Sequence, residues 1–188
     1  PERLALECIQ SAVESGAEVA NYAKVESFLL EEGRVAGIRV RDVSRITGQA
    51  DAEATPLYEI RGRLVVNATG PWADLLMGEL RRELTGNAEP VRHLIRSKGI
   101  HILTRAITKG HAILAEHEQR HFFILPWRGY SLIGTTDTVY KGDPDDMHVT
   151  EKDIINFLSE VNKGFPGANM RRADVLHFYG GLRPLVDS

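Results

Sequence analysis

The stretch Leu64-Val65-Val66-Asn67-Ala68-Thr69-Gly70-Pro71-Trp72 decides how the chain is read. Its opening residues are nearly all apolar. A strand covered on both faces of a sheet reads this way, as a continuous run rather than an alternation. The run ends in Thr69-Gly70 and meets Pro71, a residue suited to the first position of a helix. A helix from about Pro71 to Glu83 is expected, weakened by Gly78. In open α/β sheets ligands sit beyond the carboxyl ends of strands, and small residues let a ligand approach the backbone. A tight turn that needs small residues accounts for Ala68-Thr69-Gly70 equally well.

Toward the N-terminus, residues 2–15 read as a helix with Ala5, Ile9, Ala12 and Val13 on one face and Gly16 at its end. A short strand is expected around residues 18–20. Residues 24–30, 34–40 and 57–60 then form a three-stranded meander, with Glu31-Glu32-Gly33-Arg34 as the first turn and residues 44–56 as a long polar loop. Toward the C-terminus the pattern changes near residues 85–89. Residues 91–104, 112–115, 122–126 and 130–134 read as antiparallel strands. Thr150 and Asp153 open a helix over 151–163 in a capping-box pattern. Ile154, Leu158 and Val161 face inward, and Gly164 with Pro166 ends it. A last strand over 173–180 is expected to stop at Gly180-Gly181. The fold class is α+β (α/β): a partial α/β unit with a β-meander, then an antiparallel sheet with flanking helices.

Composition narrows the function classes. The chain has 188 residues, 43% hydrophobic and 26% charged, as expected of a globular protein with its own core. The net charge of −3 supplies no basic field, so no nucleic-acid partner is expected. A single cysteine, Cys8, excludes a disulfide framework and a cysteine zinc site. No apolar run approaches a membrane span. No secretory leader is read at the start, so a cytoplasmic setting is expected. Pro1 and the final Ser188 are abrupt ends, and a piece of a longer protein is expected.

Several strings carry chemistry. His117-Glu118-Gln119-Arg120-His121 matches the H-E-x-x-H zinc signature, which needs both histidines on one helical face. Here it lies between two short apolar runs, where a solvated hairpin turn is expected, and no metal is predicted. Asp143, Asp145 and Asp146 lack the spacing of a calcium loop and read as an acidic turn. Val91–Arg105 concentrates Arg92, His93, Arg96, Lys98, His101 and Arg105. Strand alternation puts Ile100 and Ile102 on one face and Gly99, His101 and Leu103 on the other, which makes His101 a candidate base. A structural histidine on a solvated face is the ordinary alternative. Gly180-Gly181-Leu182-Arg183-Pro184 offers glycines where a ligand could approach and an arginine suited to an anionic oxygen; a surface arginine beside a turn is the plainer alternative. Asp137, after Gly134-Thr135-Thr136, reads first as a turn cap and second as a site-lining residue.

Together these strings resemble an FAD-dependent, aerobic-type glycerol-3-phosphate dehydrogenase of the D-amino-acid-oxidase-like flavoprotein superfamily. The resemblance runs through residues 65–72, Arg96-Ser97-Lys98-Gly99-Ile100-His101-Ile102, Phe123-Ile124-Leu125-Pro126-Trp127, Ile133-Gly134-Thr135-Thr136-Asp137, Tyr140-Lys141-Gly142-Asp143-Pro144 and Gly181-Leu182-Arg183-Pro184. It implies that residues 1–87 are part of an FAD-binding domain and residues 88–188 most of a substrate-binding domain. Val25 would lie beside the adenine, and Ala68, Thr69, Gly70 and Trp72 near the cofactor. His101 and Arg183 would be catalytic: a neutral His101 taking the hydroxyl proton, Arg183 stabilising the C2 oxygen or holding the substrate. The implied reaction is oxidation of sn-glycerol 3-phosphate to dihydroxyacetone phosphate, with electrons passing to quinone and peripheral contact with the inner face of the cell membrane. Oxygen as acceptor, an amine or amino-acid oxidase of the same superfamily, and a stand-alone binding module are the alternatives. The chain contains no G-x-G-x-x-G turn for the pyrophosphate. It is therefore expected to be a central piece that neither retains FAD nor turns over alone.

Overall fold

The computed structural model describes residues 2–44, 55–87, 89–91 and 93–186. Most of the expected loop over residues 44–56, and Arg92, lie outside them. The chain divides into two compact units. One comprises Pro1–Asn67 with Glu79–Ala88, the other Ala68–Gly78 with Glu89–Ser188.

In the first unit, helix α1 (Glu2–Glu14) forms as its periodicity predicts, and Gly16 follows it at φ +94. None of its residues is buried; Leu4, Ile9 and Val13 are all exposed. Strands β1 (Ala23–Glu31), β2 (Arg34–Asp42) and β3 (Leu57–Arg61) make an antiparallel meander in that order. Glu32 (φ 50) and Gly33 (φ 75) are both left-handed, the two-residue turn whose twist suits a hairpin. Phe28, Leu29 and Val40 are its buried apolar residues, with Phe28 and Val40 on one face and Leu29 on the other.

Two expected strands are not present. Residues 18–20 and 64–68 have no regular structure, and Leu64 and Val66 are 80% and 75% exposed. A strand exists only through the ladder it makes with a neighbour, and neither segment pairs with another among the described residues. An apolar run alone does not supply the partner. The turn after it does form: Gly70–Trp72 is a single 3-10 turn with Gly70 at φ +58, leading into helix α2 (Ala73–Thr85).

The second unit is built on β4 (Leu94–Arg105), β5 (Ile113–His117), β6 (Arg120–Trp127), β7 (Tyr130–Gly134), β8 (Thr138–Tyr140) and β9 (Val175–Val186). The sheet runs β5-β6-β7-β4-β8, and β9 lies along the other side of β4. Helix α3 (Glu151–Gly164) packs Ile154, Phe157, Leu158 and Val161 against Ile100, Ile102, Phe122, Ile124 and Ile133. Phe122 and Phe157 meet edge to face at 6.1 Å. Each of these side chains contributes about 1.5–3 kcal/mol by leaving water. The predicted capping box is present: Thr150 Oγ1 accepts from the Asp153 amide, and Asp153 Oδ2 accepts from the Thr150 amide at 2.7 Å. Strand β9 does not stop at Gly180-Gly181 but pairs with β4 as far as Val186. It has β4 as its only neighbour among the described strands, and an edge strand tolerates Pro184.

Candidate active site

The zinc-like string is a hairpin turn. Glu118 (φ 48) and Gln119 (φ 64) form the tip between β5 and β6. The register sets His117 opposite Arg120 and His121 opposite Glu116, so the two histidines project from opposite faces. His121 Nε2 lies 3.3 Å from Glu116 Oε2. Among the described residues no three His, Cys, Asp or Glu side chains gather as a metal site. The acidic turn is likewise structural: the Asp143 carboxylate caps the Pro144–Asp146 turn through the Asp145 amide (2.9 Å), and Asp145 accepts from Trp72 Nε1 (2.8 Å).

The convergence lies on β4. Its even residues Ile100 and Ile102 face the core under α3, and its odd residues Ser97, Gly99 and His101 face the other side. Register with β9 sets Arg183 opposite Ser97, Gly181 opposite Gly99 and Tyr179 opposite His101. The Arg183 side chain crosses β4 to the loop after β7. Its Nη1 donates to Ser97 Oγ (3.2 Å), and its Nη2 donates to Thr135 Oγ1 (2.9 Å) and the Thr136 carbonyl (3.2 Å). It crosses where Gly99 has no side chain: a Cβ there would lie 2.9 Å from Arg183 Cζ and 2.7 Å from Thr135 Oγ1. Of the five guanidinium donors, Nε–H and one Nη1–H are left over after those three bonds.

His101 occupies the next odd position. Its ring stacks on Tyr179 with centroids 5.0 Å apart and planes 11° from parallel. A Cβ on Gly134, its register partner in β7, would collide with that ring. Burial, and then the positive charge of Arg183, push the imidazole pKa below its ordinary value of 6.5. His101 is therefore neutral at pH 7, with proton-accepting capacity. A Cβ at Gly181 would meet nothing within 4 Å, so the surface over Gly181 is open, whereas the space over Gly99 is filled by the Arg183 guanidinium and Thr135 Oγ1. Fixed donors of a guanidinium and a neutral imidazole on one face suit a small substrate whose oxygen gains negative charge as it loses a proton.

The other candidates fall at two places. Ala68 and Thr69 are exposed, and Gly70 has open space about it. The Gly70–Trp72 turn packs beside β9, and Arg96 Nε donates to the Pro71 carbonyl at 2.7 Å. Val25 belongs to the other unit, in β1 opposite Val40, where the register shifts before Ser27. Sequence reasoning did not single out Ser97, Thr135, Thr136 or Tyr179. The signal that could have found them was Gly99: glycine inside a strand marks a close approach, and here the approaching group is Arg183.

The chain matches the FAD dependent oxidoreductase family over residues 1–188 and belongs to that family. It is 34% identical to an alpha-glycerophosphate oxidase of Streptococcus pneumoniae over 98% of its length and 29% of the relative's. It is 33% identical to an aerobic glycerol-3-phosphate dehydrogenase of Bacillus subtilis over 98% of its length and 31% of the relative's. A glycerol-3-phosphate dehydrogenase from Bacillus halodurans, solved with FAD, shares its fold with a TM-score of 0.77 and 33% identity, over 98% of this chain and 35% of that one. The chain thus spans about a third of the length of these relatives. Among the described residues no helix is long and apolar enough to cross a membrane.

Proposed function

We propose that this chain is part of an enzyme that oxidises sn-glycerol 3-phosphate to dihydroxyacetone phosphate and does not turn over alone, with residues 88–188 forming much of its substrate-binding domain and residues 1–87 part of its FAD-binding domain. The observation that carries this reading is the Arg183 guanidinium held over Gly99 on the same face as a neutral His101. Names of relatives at 33–34% identity supply the substrate. Family membership favours an enzyme over a binding module.

FAD, when bound, supplies the hydride acceptor. The residues present fit it in two respects. The surface over Gly181 is open, and Gly70 at φ +58 presents bare backbone. Ala68, Thr69, Gly70 and Trp72 would hold the cofactor from this unit, and Val25 from the meander. His101 accepts the substrate hydroxyl proton on a free ring nitrogen. A neutral imidazole can do this and an imidazolium cannot. Arg183 offers its remaining N–H groups to the oxygen that loses that proton, in a site where donors are already fixed and need no reorganisation.

Quinone is the proposed electron acceptor, with peripheral attachment to the inner face of the cell membrane. Oxygen uptake with peroxide release would instead group the protein with the oxidases. The test is turnover of glycerol 3-phosphate against glycine and other amino acids by the complete gene product. Glycerol 3-phosphate should be preferred, and His101→Ala and Arg183→Ala should each lower kcat/KM sharply. Wild-type kcat/KM in both variants would remove the assignment.

A further inference from the structure

Arg183 does not hold its place alone. Ser97 Oγ accepts from Arg183 Nη1 and donates its one proton to Asp137 Oδ1. Asp137 Oδ1 also lies 3.9 Å from Arg183 Nη1. A serine hydroxyl has a single donor and two acceptor sites. The carboxylate therefore fixes the rotor: with the proton committed to Asp137, a lone pair of Ser97 is left for the guanidinium. Thr135 Oγ1 and the Thr136 carbonyl hold the other end of the fork. The two sides of this clamp come from different parts of the chain. Ser97 is buried in β4, whereas Asp137 sits at the end of the loop from β7 to β8 and its side chain is 71% exposed.

We propose that Ser97 and Asp137 are positioning residues for Arg183, a hydroxyl–carboxylate relay that sets the angle of the guanidinium and so the direction of its free N–H groups. This rests on the reading of Arg183 as the group that meets the substrate oxygen. A planar fork is useful only when aimed, and charge-assisted bonds of this kind aim it more firmly than neutral ones. The relay predicts coupling: Ser97 and Asp137 should matter only while Arg183 is present.

The experiment measures flavin reduction by glycerol 3-phosphate in the FAD-loaded complete gene product. The variants are Asp137→Asn, Ser97→Ala and Asp137→Glu, each in the native and the Arg183→Ala background. Asp137→Asn and Ser97→Ala should each lower the rate about tenfold. Asp137→Glu should recover part of it, and flavin content and melting temperature should stay put. In the Arg183→Ala background the same changes should cost nothing further. If they cost as much there as in the native background, the relay does not act through Arg183 and the proposal is overturned. Native rates in Asp137→Asn and Ser97→Ala would overturn it equally. If Arg183→Ala alone left the rate unchanged, the reading of Arg183 itself would fall, a result distinct from either. Asp137 is exposed and Ser97→Ala is nearly isosteric, so at least one variant will report on a folded enzyme.

Discussion

Arg183 reaches across β4 through the space that Gly99 leaves empty. The two residues belong to strands paired in register, with Gly181 opposite Gly99 and Arg183 two positions further along β9. Substituting Gly99 tests this relationship. In Gly99→Ala the new methyl would press on the mobile end of the Arg183 side chain and on Thr135 Oγ1. The guanidinium can yield, so the fold should survive while the site loses its aim. The expected result is a fall in kcat/KM on the order of a hundredfold, with a melting temperature close to that of the native protein.

The pH profile should report His101. Burial and the neighbouring Arg183 charge lower its pKa from 6.5. The base is lost on protonation, so the acid limb of kcat/KM should lie below pH 6.5. In Arg183→Ala one cause of the depression is gone, and that limb should move upward. Titration of the His101 ring protons by NMR, or the pH dependence of flavin reduction, would check both directions.

Stability should depend on the pair beneath the site. Lys98 is buried on the core side of β4, and its Nζ donates to Asp153 Oδ2 (2.5 Å) and to the His148 carbonyl (2.6 Å). Burial alone would raise the Asp153 pKa, but the Lys98 bond, the Thr150 amide and hydroxyl, and the Lys98 charge outweigh it and hold the value below 3.8. A depressed carboxylate stabilises the fold above its unfolded pKa. That contribution is complete above about pH 5 and is lost as pH falls through the native value. Lys98→Met should cost about 2–3 kcal/mol, at the low end for a buried pair because Asp153 keeps some contact with water. Denaturant melts at neutral pH would show the loss, and the gap between the two proteins should narrow in acid.

Metal analysis offers a negative control. His117 and His121 lie on opposite faces of their hairpin. The purified protein should carry no stoichiometric zinc, and His117→Ala with His121→Ala should leave turnover unchanged. Stoichiometric zinc lost on substitution would contradict the hairpin geometry.

Local signals were the legible ones. Glu32-Gly33 and the Thr150–Asp153 box each dictate a turn or cap through a few adjacent residues, and each stands where the chain predicts it. Leu64–Ala68 failed because an apolar run cannot specify its partner strand. The end of β9 was misjudged for the opposite reason: β4 offers a partner along its whole length, and two glycines do not break a ladder that is already paired. Strand alternation and the glycines before Arg183 marked His101 and Arg183 as candidates, but the resemblance, not their spacing of 82 positions, joined them in one site. The residues that hold Arg183 were not singled out, because they come from β4 and the loop after β7 and meet only in the folded sheet.

The central claim is that the sheet face shared by β4 and β9, carrying His101 and Arg183, meets the substrate. Its most direct test is anaerobic stopped-flow reduction of the flavin by sn-glycerol 3-phosphate, in the complete gene product and in its His101→Ala and Arg183→Ala variants. Reduction should be rapid in the native enzyme and slower by on the order of a hundredfold or more in each variant, with FAD still bound. Native reduction rates in both variants would contradict the account.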